Sequence, residues 1–140
     1  MWALTVLKAG GEMTFSLSKE ETGFLPNRNI VWWPYSKTDD KRIRVDNYNI
    51  WANSDIREPN PCKIGAYNSN IVIKYTLEEN GKKAVFVKKA LGEDGKNYPD
   101  FHCNFECYFN DKIHEIETLS CIKEVENDNE LEHIEYWEIY

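Results

Sequence analysis

The stretch NIVIKYTLEENGKKAVFVKK, residues 70–89, is two runs of β-branched and aromatic residues separated by Asn80-Gly81. Both turn residues tolerate the positive φ of a type I′ turn, the tightest link between antiparallel strands. A two-residue loop at that point sets the register of everything around it. Leu77 then faces Ala84, Tyr75 faces Phe86 and Ile73 faces Lys88 on one side, while Glu78 faces Lys83 and Thr76 faces Val85 on the other. One side is mostly apolar with an aromatic cross-strand pair, and the other carries opposite charges. This is a β-hairpin.

The same grammar recurs on either side. DKRIRVDNYNIWAN (40–53) predicts a hairpin turning at Asp46-Asn47, with Val45 opposite Tyr48, Ile43 opposite Ile50, Arg44 opposite Asn49 and Arg42 opposite Trp51. LTVLKAGGEMTFSL (4–17) predicts one turning at Gly10-Gly11 that gathers Leu4, Val6, Met13, Phe15 and Leu17. FHCNFECYFNDKIHEIE (101–117) predicts a third, turning at Asn110-Asp111. Its core face holds Phe101, Cys103, Phe105 and Cys107 opposite Ser120, Thr118, Ile116 and His114. SKEETGFLPNRN (18–29) reads as one helical turn, and NSDIREPNPCKIGAYNSN (53–70) as a long irregular connection rich in Pro and Asn. The spacing after residue 119 leaves a helix open. The expected fold is mainly β, one domain over residues 1–140: an antiparallel barrel or sandwich of consecutive hairpins with at most one short C-terminal helix.

Composition narrows the function classes. With 41% hydrophobic and 14% aromatic residues in 140, the chain has material for a core. Its net charge of -7 is lopsided: residues 111–140 hold ten acidic and two basic side chains, and the remainder is nearly balanced. That disfavours direct DNA or RNA binding, which needs a basic footprint, and offers an acidic edge to a basic protein partner. No apolar run is long enough for a membrane helix, and MWALTVL lacks the charged start and cleavage site of a secretory signal. A cytoplasmic protein is expected. Cys62, Cys103, Cys107 and Cys121 contain no CxxC pair, so reduced thiols are expected, with no metal and no cofactor. Dinucleotide, P-loop, zinc-protease, nucleophile-elbow and EF-hand signatures are absent.

Two constellations remain. Trp33, Arg42, Arg44, Trp51 and Arg57 combine indole faces with guanidinium groups, which suits stacking on, and bidentate grip of, an anionic or nucleotide-like ligand. These are the candidate ligand-binding residues. The second lies on the outer face of the 101–117 hairpin, where His102, Asn104, Glu106 and Tyr108 meet Leu119, Glu117, Glu115 and Ile113. Glu106 across from Glu115 is a like-charge pair, so that face is either solvated, matched by something positive, or an acid–base pair. Cys107 opposite His114 reads as a buried thiol beside a satisfied imidazole. The favoured function is non-enzymatic: sequestering a small ligand or engaging a protein partner, as immunity and phage-type inhibitor proteins do. Homo-oligomerisation is compatible with it. The rival class is a small β-barrel enzyme using Glu106, Glu115 or His102, which requires those carboxylates to sit inside a concavity.

Overall fold

The computed structural model describes residues 1–93, 95–127 and 130–140. Strands β7 (Asn70–Glu79) and β8 (Lys82–Leu91) form the hairpin in the register read from the sequence, with Tyr75 opposite Phe86 and Ile73 opposite Lys88. Asn80 and Gly81 take φ of 53° and 72°, as the tight turn demands. This hairpin lies within a six-stranded sheet ordered β11 (Tyr136–Ile139), β8, β7, β2 (Glu12–Ser16), β5 (Asn49–Asn53) and β4 (Ile43–Val45). A separate five-stranded sheet is ordered β1 (Trp2–Lys8), β10 (Ile113–Leu119), β9 (Phe105–Phe109), β6 (Cys62–Ala66) and β3 (Ile30–Trp32). Every pairing is antiparallel, and the two sheets stack as a sandwich. Phe15 of β2 and Phe105 of β9 stack across the gap, centroids 4.0 Å apart, amid Met13, Ile50, Ile64, Ile73 and Ile116.

The N-terminal segment departs from expectation. β1 does not pair with β2: it joins β10, while β2 joins β5 and β7 in the other sheet. Gly10-Gly11 is a corner between sheets. Gly10 has φ 102°, and a Cβ on Gly11 would lie 2.5 Å from the carbonyl oxygen of Thr76. Met13, Phe15 and Leu17 are buried as expected, but Leu4 and Val6 are 39% and 52% exposed on the outer face of the five-stranded sheet.

Two other hairpins form one step later along the chain. Asp46 Oδ1 accepts the N–H groups of Tyr48 and Asn49, and Asn110 Oδ1 accepts those of Lys112 and Ile113. Each side chain thereby caps its turn from the first corner, moving the centres to Asn47-Tyr48 and Asp111-Lys112. Arg44, not Arg42, consequently lies opposite Trp51, and Glu106 faces Glu117 rather than Glu115.

The Pro- and Asn-rich connection is also not wholly irregular, because β6 lies inside it with Cys62 and Ile64 buried. Residues 18–29 contain a turn at 23–24 and no helix. The only helical element among the described residues is the four-residue turn α1 (Pro99–His102). After residue 119 the described chain has neither helix nor strand until β11, which pairs with β8. There Glu135 reaches the buried ammonium of Lys88 at 2.7 Å. Among the described residues no helix is long and apolar enough to cross a membrane.

Candidate functional site

Alternation along the five-stranded sheet sends one set of side chains to its outer face. Leu4, Glu117, Glu106 and Gly65 form one row across β1, β10, β9 and β6. Lys63 lies two residues before Gly65 on the same face of β6, and Trp2 lies two before Leu4 on β1. Trp33, just past β3, is tied to Lys63 through its backbone N–H. These residues converge.

Lys63 Nζ lies 2.7 Å from Glu106 Oε2 and 2.9 Å from Glu117 Oε2. Trp2 Nε1 donates to Glu117 Oε2 at 2.8 Å. The ammonium also lies 4.8 Å from the Trp33 ring centroid and 5.6 Å from that of Trp2, so indoles flank it. Glu106 is only 2% exposed and Glu117 is fully buried. Glu106 Oε1 and Glu117 Oε1 have no hydrogen-bond donor. Burial first, then the neighbouring Asp100 and Glu117, push the Glu106 carboxyl up to about 8 against the pull of Lys63. Burial works against the Lys63 charge, but the two carboxylates outweigh it and hold its pKa above the ordinary lysine value.

Asp100 reaches Glu106 because of an unusual backbone. Asp100, Phe101 and His102 have φ of 50°, 57° and 72°, three consecutive non-glycine residues in the left-handed region. Each costs on the order of 1–2 kcal/mol. Asn29 Nδ2 holds the turn by donating to the carbonyls of Phe101 and His102, both at 3.0 Å. Just beyond it, Cys103 packs over Gly65, where a Cβ would come within 2.7 Å of its Sγ. Cys103 is therefore buried beside Glu106 and outside the core cluster that contains Cys107.

Above this floor is a pocket of about 560 Å³ whose walls include Trp2, Trp33, Lys63, Asp100, Glu106 and Leu119. Part of its rim comes from Cys121, Ile122 and Leu131, in the chain that follows β10. His102 does not line it; the imidazole packs instead against Tyr67 and Tyr98.

Of the residues expected to bind a ligand, only Trp33 lies here. Arg42 is turned inward: its guanidinium grips Asp40, donates to the carbonyl of Asn60 at 2.9 Å and lies 4.9 Å from the Phe109 ring centroid. Its hydrogen bonds, despite burial, hold the Asp40 carboxyl below the usual range. Arg44 lies over Trp51 at 4.2 Å on the edge of the six-stranded sheet, and Arg57 pairs locally with Asp55. The sequence reading missed Trp2, Lys63 and Asp100. A signal for Lys63 was present, since carboxylates facing each other call for a positive charge.

These placements separate the arginines experimentally. Arg42→Gln is expected to cost about 1–3 kcal/mol in urea melts, because it leaves the half-buried Asp40 carboxylate without its guanidinium partner. Arg44→Gln and Arg57→Gln should leave the midpoint where it is, since an exposed guanidinium over a ring and an exposed ion pair both contribute little. Equal effects at all three positions would contradict this division.

The cysteines are all free and buried. Cys107 Sγ lies 3.1 Å from His114 Nε2, and His114 Nδ1 lies 3.1 Å from Ser54 Oγ. Ser54 in turn donates to the carbonyl of Gly11. One tautomer, with the proton on Nδ1 and the thiol donating to Nε2, satisfies the chain. Burial holds the imidazole down at about 3 and the Cys107 thiol well above its ordinary value, so the pair is neutral and structural.

Fold and pocket together define a two-sheet antiparallel β-sandwich with an indole-walled, carboxyl-floored pocket on one outer face. The chain matches no protein-family model, no curated protein and no solved structure.

Proposed function

We propose that the protein is a non-enzymatic binding protein that takes a small organic ligand in the pocket between Trp2 and Trp33. The observation that carries this reading is Glu106, a buried carboxyl with an undonated oxygen, at the floor of a pocket large enough for such a ligand. Indole walls supply apolar contact, and the polar floor fixes orientation. An anionic ligand has less to hold it than the sequence suggested. Arg42 is used internally, Arg57 is paired, and Lys63 is already shared between two carboxylates. The acidic C-terminal segment remains available to a basic protein partner.

A second reading has one observation in its favour: Glu106 lines a concavity together with Asp100, as an acid–base enzyme requires, although Glu115 and His102 lie outside it. Native mass spectrometry of the protein as purified from cells, followed by a thermal-shift screen of small organic compounds, tests the binding reading. Trp33→Ala should lower the affinity of any stabilising compound by tenfold or more while leaving the compound chemically unchanged. Undiminished binding to Trp33→Ala would remove the pocket as the site. Turnover of the compound would favour the enzyme.

A further inference from the structure

The pocket floor is short of positive charge. Three carboxyl groups, Glu106, Glu117 and Asp100, meet a single ammonium, that of Lys63. Glu115, also on β10, adds a fourth carboxyl nearby, and its own pKa is raised by burial and by Glu117. The other groups facing Glu106 do not restore the balance. The Cys103 thiol is pushed up to about 12 by burial and is neutral, and the Tyr35 phenol is likewise shifted upward by burial. On the rim, Lys123 is paired with Glu93, and the Met1 amino group is a further ammonium, held by Ser120 Oγ and not by a floor carboxylate.

Resting on the pocket reading above, we propose that the ligand's polar head is an organic cation, a primary ammonium or an amidine, seated against Glu106 and Asp100 with its apolar body between the indoles. Such a head offers several N–H donors, and one of them reaches the Glu106 oxygen that no protein group serves. The electron-rich indole faces favour a cation over a neutral or anionic group of the same shape, as they already do for Lys63. A divalent metal fits less well: no group of three or more His, Cys, Asp or Glu among the described residues is arranged to hold one. The left-handed turn that brings Asp100 to another carboxyl makes sense if a third, positive party joins them.

A proton stands in for that cation. Glu106, pushed up to about 8, is neutral at pH 7, and the cation binds the ionised form. Binding therefore releases a proton from Glu106. Below pH 8 each unit of acidification lowers affinity about tenfold, and above pH 8 the dependence levels off.

Isothermal titration with benzylamine and benzamidine, against benzyl alcohol and benzoate as isosteres of other charge, tests this at pH 6, 7 and 8. Buffers of different ionisation enthalpy count the protons. The two cations should bind at least tenfold more tightly than the isosteres, gain about tenfold from pH 6 to pH 7 and release close to one proton. Glu106→Gln should abolish the pH dependence and weaken binding by tenfold or more. Asp100→Asn, at an exposed position, should weaken binding without disturbing the fold. Trp33→Ala should weaken all four probes. If benzyl alcohol or benzoate binds as tightly as the amines and Trp33→Ala still weakens it, the pocket stands and the cation is overturned. If none of the four binds, both readings fall together. Amine binding indifferent to Trp33, Glu106 and Asp100 would be general attraction to an acidic protein, and would overturn the proposal.

Discussion

Lys63→Met should lose about 3–5 kcal/mol of stability at pH 7, and most of that loss should return near pH 4.5. The side chains of Glu106 and Glu117 are 3% and 0% exposed, and the ammonium between them is their only positive neighbour within ion-pair distance among the described residues. Removing one partner of a buried ion pair leaves the other uncompensated. In the variant Glu106 loses the ammonium that draws its pKa down, so its folded value rises still further above the unfolded value near 4.3. Such a group contributes stability that is complete below the unfolded value and lost as pH rises, by about 1.4 kcal/mol per unit. The unmodified protein shows the same sign through Glu106, its contribution fading between the unfolded carboxyl value and about pH 8. His114 acts oppositely. Held at about 3 in the fold, it contributes stability above the unfolded value near 6.5 that is lost as pH falls towards 3. That effect is common to both proteins and cancels when the variant is subtracted from its parent at each pH. A variant as stable as the parent, with a flat difference from pH 4.5 to pH 8, would mean that the carboxylates are hydrated.

Phe105→Ala is expected to cost a further and separate 3–5 kcal/mol or so, at every pH. Its ring is fully buried and lies nearly parallel to that of Phe15, with an interplanar angle of 9°, at the centre of the contact between the sheets. Truncation removes apolar burial from both sheets and leaves a cavity that neither backbone can close. Leu4→Ala and Val6→Ala make the contrast, because both side chains face outward and should shift the urea midpoint little. A Phe105→Ala cost below about 1 kcal/mol would mean that the sheets do not meet at this point.

The contrast between Phe105 and Leu4 shows what the sequence could and could not reveal. Alternation of apolar residues was legible on both strands, but alternation does not say which face of a sheet meets the other sheet. Phe105 was placed correctly because its strand runs between two others; β1 turned over because Gly10-Gly11 makes a corner instead of a hairpin. Register was legible only where a turn needs two positive φ values, as at Asn80-Gly81. At Asp46 and Asn110 the side-chain oxygen caps the turn from its first corner, and the hairpins formed one residue later. That step exchanged Glu115 for Glu117 opposite Glu106. The site was half visible: two facing carboxylates and Trp33 were on the page, but Lys63 lay in a stretch whose Pro and Asn content concealed β6. Trp2 and Asp100 joined them only through tertiary structure.

The corner at Gly10-Gly11 has a consequence for the life of the nascent chain. Because β1, among the described residues, pairs with β10 alone, Trp2 must wait for Leu119 before the first strand has a place in any sheet. The first strand of this fold is thus among the last to be seated, and an apolar strand bearing Trp2, Leu4 and Val6 stays unpaired until residues 113–119 have been made. Closing so wide a loop brings no reward until it is complete, which places this fold among the slower small domains. Until then the waiting strand is the part of the molecule most open to a chaperone, or to the same strand of another copy.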